Sequence, residues 1–199
     1  MNPNGLRIMK IAQHAQLSED DYLRLEAASP VKNEFVGGNI YAMTGASLRH
    51  NVFAGNVFTI LRAHVRGSPC RTFMSDTKLR IAKFNSYYYP DVMVTCDPCY
   101  QSVSSTDTLI ETPRLIVEIL SASTEATDRR EKLQAYRSLP SLLEYVLVSQ
   151  EAAVIEIHRR QGDIGWQIIT LSPGDPVELS SVELVTDFAT LYDESGVDL

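Results

Sequence analysis

The run Leu115–Leu120 (Leu-Ile-Val-Glu-Ile-Leu) sets the tightest limit on the fold, because it is a nearly continuous apolar strand of the kind covered on both faces. Such a strand needs helices or a second sheet above and below it, which calls for a layered α/β architecture. With 199 residues, 44% of them hydrophobic and 22% charged, the chain suits one domain spanning 1–199. A chain of that size buries about 70% of the surface its unfolded form exposes, so it needs no disulfide or structural metal. Collagen-like, disordered and disulfide-scaffold classes are excluded.

No apolar run approaches the roughly 20 residues of a membrane helix. Met1–Gln13 lacks a basic segment followed by an apolar stretch, so no secretory signal is expected and the protein is expected in the cytoplasm, with no membrane partner. Three cysteines, Cys70, Cys96 and Cys99, suit reduced thiols. Cys96 and Cys99 form a C-x-x-C, but no second pair or paired histidine completes a tetrahedral zinc site.

The predicted elements alternate. Ser18 with Glu19 and Asp20 opens a short helix through Leu25, and Glu34–Val36 and Asn39–Ala42 form a hairpin around Gly37-Gly38. This lead-in and hairpin occupy about 17–43. Apolar residues at three- and four-residue intervals predict a helix over Ser47–Arg66. Strands follow at Lys78–Ile81 and Tyr87–Thr95, the second interrupted by Pro90, then a long polar loop over Asp97–Thr112. After Leu115–Leu120 come a helix over Thr124–Arg137 and a strand over Leu143–Ser149, completing a core of about 47–150. An antiparallel hairpin pairs Val154–Arg160 with Trp166–Leu171, and an acidic tail ends the segment of about 154–199.

The net charge of −7 is unevenly spread: residues 48–90 carry 7 basic groups against 1 acidic, while the last 37 residues carry 8 acids and no Lys or Arg. The acidic total argues against coating nucleic acid by charge alone, yet it allows a local basic surface beside an acidic, cation-loaded pocket. Arg62, Arg66, Arg71, Lys78 and Arg80 are candidates for phosphate contact, and as isolated charges equally a solvated face.

Two acids sit inside strands that otherwise want burial, Asp91 in Tyr-Pro-Asp-Val and Glu118 in Val-Glu-Ile-Leu. An unpaired carboxylate there is costly, and two on neighbouring strands about 4.8 Å apart can chelate a hard divalent cation. Asp128 and Lys132 lie four apart, hence on one helix face, only a turn and a little over two helical turns beyond Glu118. Each of these groups has an ordinary alternative: a salt-bridged acid, or a solvated Asp–Lys pair. Glu34, Asp76 and His50 are weaker candidates, since a hairpin acid, an acid before a strand and a single histidine are all common without function. Ser121 and Ser123 suit helix capping better than nucleophilic attack.

Three stretches carry a resemblance: Ile-Tyr-Ala-Met-Thr-Gly-Ala-Ser-x-x-His-Asn (40–51), Tyr-Pro-Asp-Val (89–92) and Glu-Ile-Leu-Ser-x-Ser-Thr-x-x-x-Asp-x-x-x-Lys-x-x-x-Tyr (118–136), with Ser-Leu-x-Glu-Tyr-Val-Leu-Val (141–148) after them. The chain resembles the Uma-type restriction-endonuclease-like proteins of the PD-(D/E)XK nuclease superfamily over roughly residues 18–192. The resemblance implies a restriction-endonuclease-like core of helix, three strands, helix and strand, a mixed β-sheet flanked by helices, with added hairpins. It implies a Mg2+- or Mn2+-dependent endonuclease acting on DNA, working as a homodimer for which the hairpin bearing Trp166 is a candidate contact. Asp91, Glu118 and the carbonyl of Ile119 then become the expected metal ligands and Lys132 the catalytic lysine, with Glu34, His50, Asp76 and Asp128 as possible site-lining residues. One departure stands out: the superfamily's lysine follows its glutamate by two residues, and here that position is Leu120. The resemblance implies that Lys132 replaces it from the following helix. The alternative is an inactive nucleic-acid-binding or protein-interaction module on the same fold.

Overall fold

The computed structural model describes residues 16–43, 45–104 and 106–199. The signal-peptide expectation for Met1–Gln13, and Thr44 and Ser105 within the motif and loop above, lie outside the described residues. The first helix, α1 (Glu19–Ala28), begins at Ser18, whose side chain and that of Asp21 form a reciprocal capping box. Strands β1 (Asn33–Val36) and β2 (Asn39–Ala42) make the expected hairpin. Helix α2 (Leu48–His64) is capped by Ser47 and buries Phe53, Ala54, Val57 and Leu61.

Next come β3 (Arg71–Met74), β4 (Lys78–Ile81), β5 (Ser86–Tyr88), β6 (Val92–Thr95), β7 (Leu109–Ile110) and β8 (Leu115–Leu120). Then α3 (Glu125–Thr127) runs through a π-helical turn (Asp128–Lys132) into α4 (Leu133–Arg137). The chain closes with β9 (Glu144–Ser149), β10 (Ile155–Arg160), β11 (Trp166–Leu171), β12 (Val177–Leu179), β13 (Leu184–Thr186) and α5 (Phe188–Leu191).

Two sheets organise the molecule. The larger has the order β11-β10-β9-β8-β6-β3, with β8 and β9 parallel and the other pairs antiparallel; the smaller has the order β2-β1-β5-β4-β7. β8 lies at the centre of the larger sheet and all six of its residues are buried, as its composition requires. Leu115, Val117 and Ile119 pack with α2, α5 and the β12–β13 hairpin on one face. Ile116 and Leu120 pack with α4, Tyr145 and the smaller sheet on the other. Glu118 shares that second face by strand alternation, so it points toward the helix carrying Lys132.

Three expectations change. Tyr87–Thr95 is not one strand: the chain leaves the smaller sheet after Tyr88 and joins the larger at Val92, so Pro90 and Asp91 sit at the crossing. The first strand of the helix-strand-strand-strand-helix-strand core is β3, whereas Lys78–Ile81 belongs to the smaller sheet. Cys70 and Cys96 are joined in a disulfide rather than reduced, because the β3–β6 register that pairs Arg71 with Thr95 sets them face to face with Cα atoms 4.0 Å apart. Only Cys99 is a free, exposed thiol among the described residues, and the C-x-x-C no longer exists as a dithiol. The acidic tail, moreover, folds: Val177, Leu179, Phe188, Leu191 and Tyr192 are buried against α2 and the larger sheet.

Candidate active site

Asp91 and Glu118 meet where the chain crosses between sheets. The β6–β8 register pairs Val92 with Val117, so one step further Asp91 stands opposite Glu118. They interlock through backbone: the Asp91 N–H donates to Glu118 Oε2 at 3.2 Å, and the Ile119 N–H donates to Asp91 Oδ2 at 2.8 Å. Glu118 Oε1 accepts from Lys132 Nζ at 3.1 Å and from the Tyr136 hydroxyl at 2.8 Å. Both residues line a cavity of about 740 Å³, beside His50, Asp128, Lys132, Ser121 and Gln150.

The π-helical turn explains how Asp128 and Lys132 both reach inward. It widens one turn of the helix, a distortion that frequently accompanies functional sites, and both side chains are buried. Lys132 Nζ lies 3.1 Å from Asp128 Oδ1, an ion pair whose angle falls short of a hydrogen bond, and 3.5 Å from Glu34 Oε1. Glu34, at 15% side-chain exposure, is therefore no exposed hairpin acid but part of the cluster, brought there by β1. His50, in the first turn of α2, points Nε2 at Asp91 Oδ2 from 3.2 Å, while its Nδ1 is buried without a partner.

Asp76 stands apart: it is 84% exposed and pairs with Lys32 at the β3–β4 turn. Of the five basic candidates none lines the cavity. Arg80 is held by Glu19 and Glu111, and Arg71 by the Ser68 and Cys70 carbonyls.

The electrostatics are those of an acid-rich, largely buried site. Burial drives the Glu118 carboxyl well above the usual range; Lys132 opposes this, and the neighbouring Asp91 and Asp128 charges add to it. Burial also raises Glu34, again against Lys132. Burial alone would discharge Lys132, but Glu118, Glu34 and Asp128 together hold its pKa well above the ordinary value. For His50, burial works against the charge, and the hydrogen bond to Asp91 and its charge outweigh it, leaving the imidazole more basic than usual.

Four carboxyl groups thus share one lysine and one histidine. The donor chemistry fits a hard divalent cation: two carboxylates and the Ile119 carbonyl are all oxygen ligands, and Mg2+ keeps several waters and takes only one or two carboxylates. The fit is to that partly hydrated mode. Among the described residues no three His, Cys, Asp or Glu side chains converge as an all-protein cage.

Two residues at the site carried little sequence signal. Tyr136 lies four residues beyond Lys132, a spacing that puts both on one helix face, but its aromatic ring reads as core. Gln150, directly after β9, has no motif around it.

The mixed sheet flanked by helices is the fold of a class, the restriction-endonuclease-like proteins. A crystal structure of a putative nuclease belonging to DUF820 from Anabaena variabilis ATCC 29413 superposes with a TM-score of 0.71 at 16% identity, covering 88% of this chain and 97% of that one. The family described as Uma2, putative restriction endonuclease, matches residues 19–189, and the chain belongs to that family. Two relatives in Synechocystis sp. (strain ATCC 27184 / PCC 6803 / Kazusa) are the uncharacterized proteins slr1290 and sll1609. The first is 38% identical over 91% of this chain and 94% of its own length, the second 33% identical over 86% and 96%.

Proposed function

We propose that the protein is a metal-dependent endonuclease that hydrolyses phosphodiester bonds of DNA. The observation that carries this reading is the ammonium of Lys132 at 3.1 Å from Glu118, which supplies from the helix the positive charge that Leu120 cannot. Asp91, Glu118 and the Ile119 carbonyl are the groups that would hold Mg2+ or Mn2+. When bound, the ion polarises the phosphoryl oxygen and makes a water more acidic.

The chain's own residues do the remaining work. Lys132 stabilises charge building on the phosphate oxygens or orients the attacking water. Asp128 and Glu34 keep it protonated, and Tyr136 fixes the Glu118 carboxylate by donating to Oε1. His50 faces the same Asp91 oxygen and lines the site.

The reading also includes a cytoplasmic location and a homodimer that presents one site to each DNA strand. No helix among the described residues is long and apolar enough to cross a membrane. Strand β11 supports the dimer: it is an edge of the larger sheet, it carries no charged residue or proline, and its Ile168 is 57% exposed. Long uncharged edges are normally blocked or paired. At the start of that edge the Arg137 and Arg160 guanidinium groups lie over the Trp166 ring, 5.4 and 4.5 Å from its centre.

The test is incubation of supercoiled plasmid with Mg2+ or Mn2+. Wild type is expected to nick or linearise it, and Asp91→Asn, Glu118→Gln and Lys132→Met to lose at least about 100-fold in rate. No cleavage by wild type, or equal cleavage by the variants, overturns the reading and leaves a binding module on a nuclease fold.

A further inference from the structure

Among the described residues two lysines and no arginine line the cavity, and the two differ in what they are free to do. Lys132 is held by Glu118, Asp128 and Glu34, with 8% of its side chain exposed. Lys32, just before β1, has 40% of its side chain exposed, and its polar contacts lie outside that carboxylate cluster. Its Nζ donates to the Ser75 carbonyl at 3.0 Å and pairs with Asp76, both in the turn between β3 and β4.

The same turn sets where Lys32 stands relative to the chemistry. The Ser75 N–H donates to the Asp91 carbonyl at 3.2 Å, so the turn that holds Lys32 is tied to the backbone of a proposed metal ligand. Lys32 also lies 5.7 Å from the ring centre of Tyr89, a buried wall residue whose hydroxyl donates to Glu26 of α1 at 2.6 Å. Lys78, which forms no ion pair among the described residues, lies over that ring at 5.9 Å. Two ammonium groups thus gather on Tyr89, and the one carboxylate paired with either is Asp76.

Asp76 is 84% exposed, and an exposed ion pair contributes little because water and salt screen it. Lys32 can therefore exchange Asp76 for another anion at small cost. Beside it the wall is apolar: Val31, Met43 and Met74 line the cavity, with Val31 and Met74 52% and 37% exposed. An ammonium next to exposed apolar side chains matches a phosphate next to its sugar and base better than it matches a bare anion.

We propose that Lys32 is a substrate-binding residue that takes a backbone phosphate flanking the scissile one, and that Asp76 occupies its ammonium until the strand displaces it. The proposal rests on the nuclease reading for which phosphate is cut, and on the β3–β4 turn for where the flanking one sits.

The experiment is fluorescence anisotropy of the full chain with a short labelled DNA duplex in Ca2+, across a series of salt concentrations, alongside plasmid cleavage kinetics in Mg2+. Lys32→Met should weaken binding at least about threefold and make log K against log salt shallower by about 0.9, the share of one phosphate contact, while Lys32→Arg keeps both near wild type. In cleavage, Lys32→Met should raise KM and leave kcat within about twofold, because the contact is the same in ground and transition states. Asp76→Asn should tighten binding at least about twofold, and that gain should vanish when Lys32→Met is combined with it. Glu178→Gln, which removes an exposed acid on β12, should give no such gain.

Wild-type affinity and salt slope in Lys32→Met, or an Asp76→Asn gain that persists without Lys32 or is matched by Glu178→Gln, overturns the proposal. Cleavage that is indifferent to Lys32 removes the contact and leaves the nuclease. Lys32-dependent binding without cleavage keeps the contact and removes the nuclease, and a wild type that binds no duplex removes both.

Discussion

Lys132 and Glu118 come from different layers of the molecule, a helix and the central strand, and meet at 3.1 Å with 8% and 3% of their side chains exposed. Breaking a buried pair from one side strands the other charge and costs roughly 3 to 5 kcal/mol. Lys132→Met leaves Glu118, Asp128 and Glu34 without their common counter-charge, so a loss in that range is expected in urea unfolding. Lys132→Met combined with Glu118→Gln should recover part of it. A Lys132→Met protein as stable as wild type contradicts the account of the cluster.

Buried His158 and partly buried His50 should titrate in opposite directions. His158 accepts from Arg137 at Nδ1 (2.7 Å) and lies 2.5 Å from Glu156 through Nε2, so the neutral ring with its proton on Nε2 fits both bonds. Burial, with Arg137 and Arg129, lowers its pKa below the ordinary 6.5, although Glu156 opposes the shift. The stability this contributes is complete above pH 6.5 and is lost as pH falls through the lower folded-state value. His50 is shifted upward against its burial by Asp91. Proton NMR should find His158 below and His50 above 6.5 in wild type, with Asp91→Asn drawing His50 down. The reverse order of the two histidines contradicts the hydrogen bonding described.

The Cys70–Cys96 bridge predicts one titratable thiol per chain in protein purified without reductant, that of exposed Cys99. Three thiols after denaturation without reductant would mean that the face-to-face cysteines remain unjoined.

The elements carrying the chemistry were legible because each has a strong local pattern, a continuous apolar run or a helical spacing. The six-residue β8 and the helices around Ser47–Arg66 and Thr124–Arg137 fall within a few residues of where their patterns put them. The sheet switch at Pro90-Asp91 was not, because both halves of Tyr87–Thr95 read as strand, and which sheet each joins is a matter of long-range pairing. β3 is four residues of mixed polarity, below the length at which alternation is informative. The disulfide needed the β3–β6 register, which no local pattern reveals. At the site, Asp91, Glu118 and Lys132 announced themselves as charges in apolar settings or in a long motif. Glu34 gained its burial from a helix nearly a hundred residues later, and Gln150, an uncharged residue at a strand end, broke no local rule.

The most direct test needs no DNA. Mn2+ binding, followed by calorimetry and by the electron paramagnetic resonance signal of free Mn2+, should be saturable for wild type and weakened at least about tenfold in Asp91→Asn and Glu118→Gln, the scale on which loss of a ligand or its support acts. Isotherms for both variants that overlay the wild-type curve would mean that Asp91 and Glu118 hold no cation.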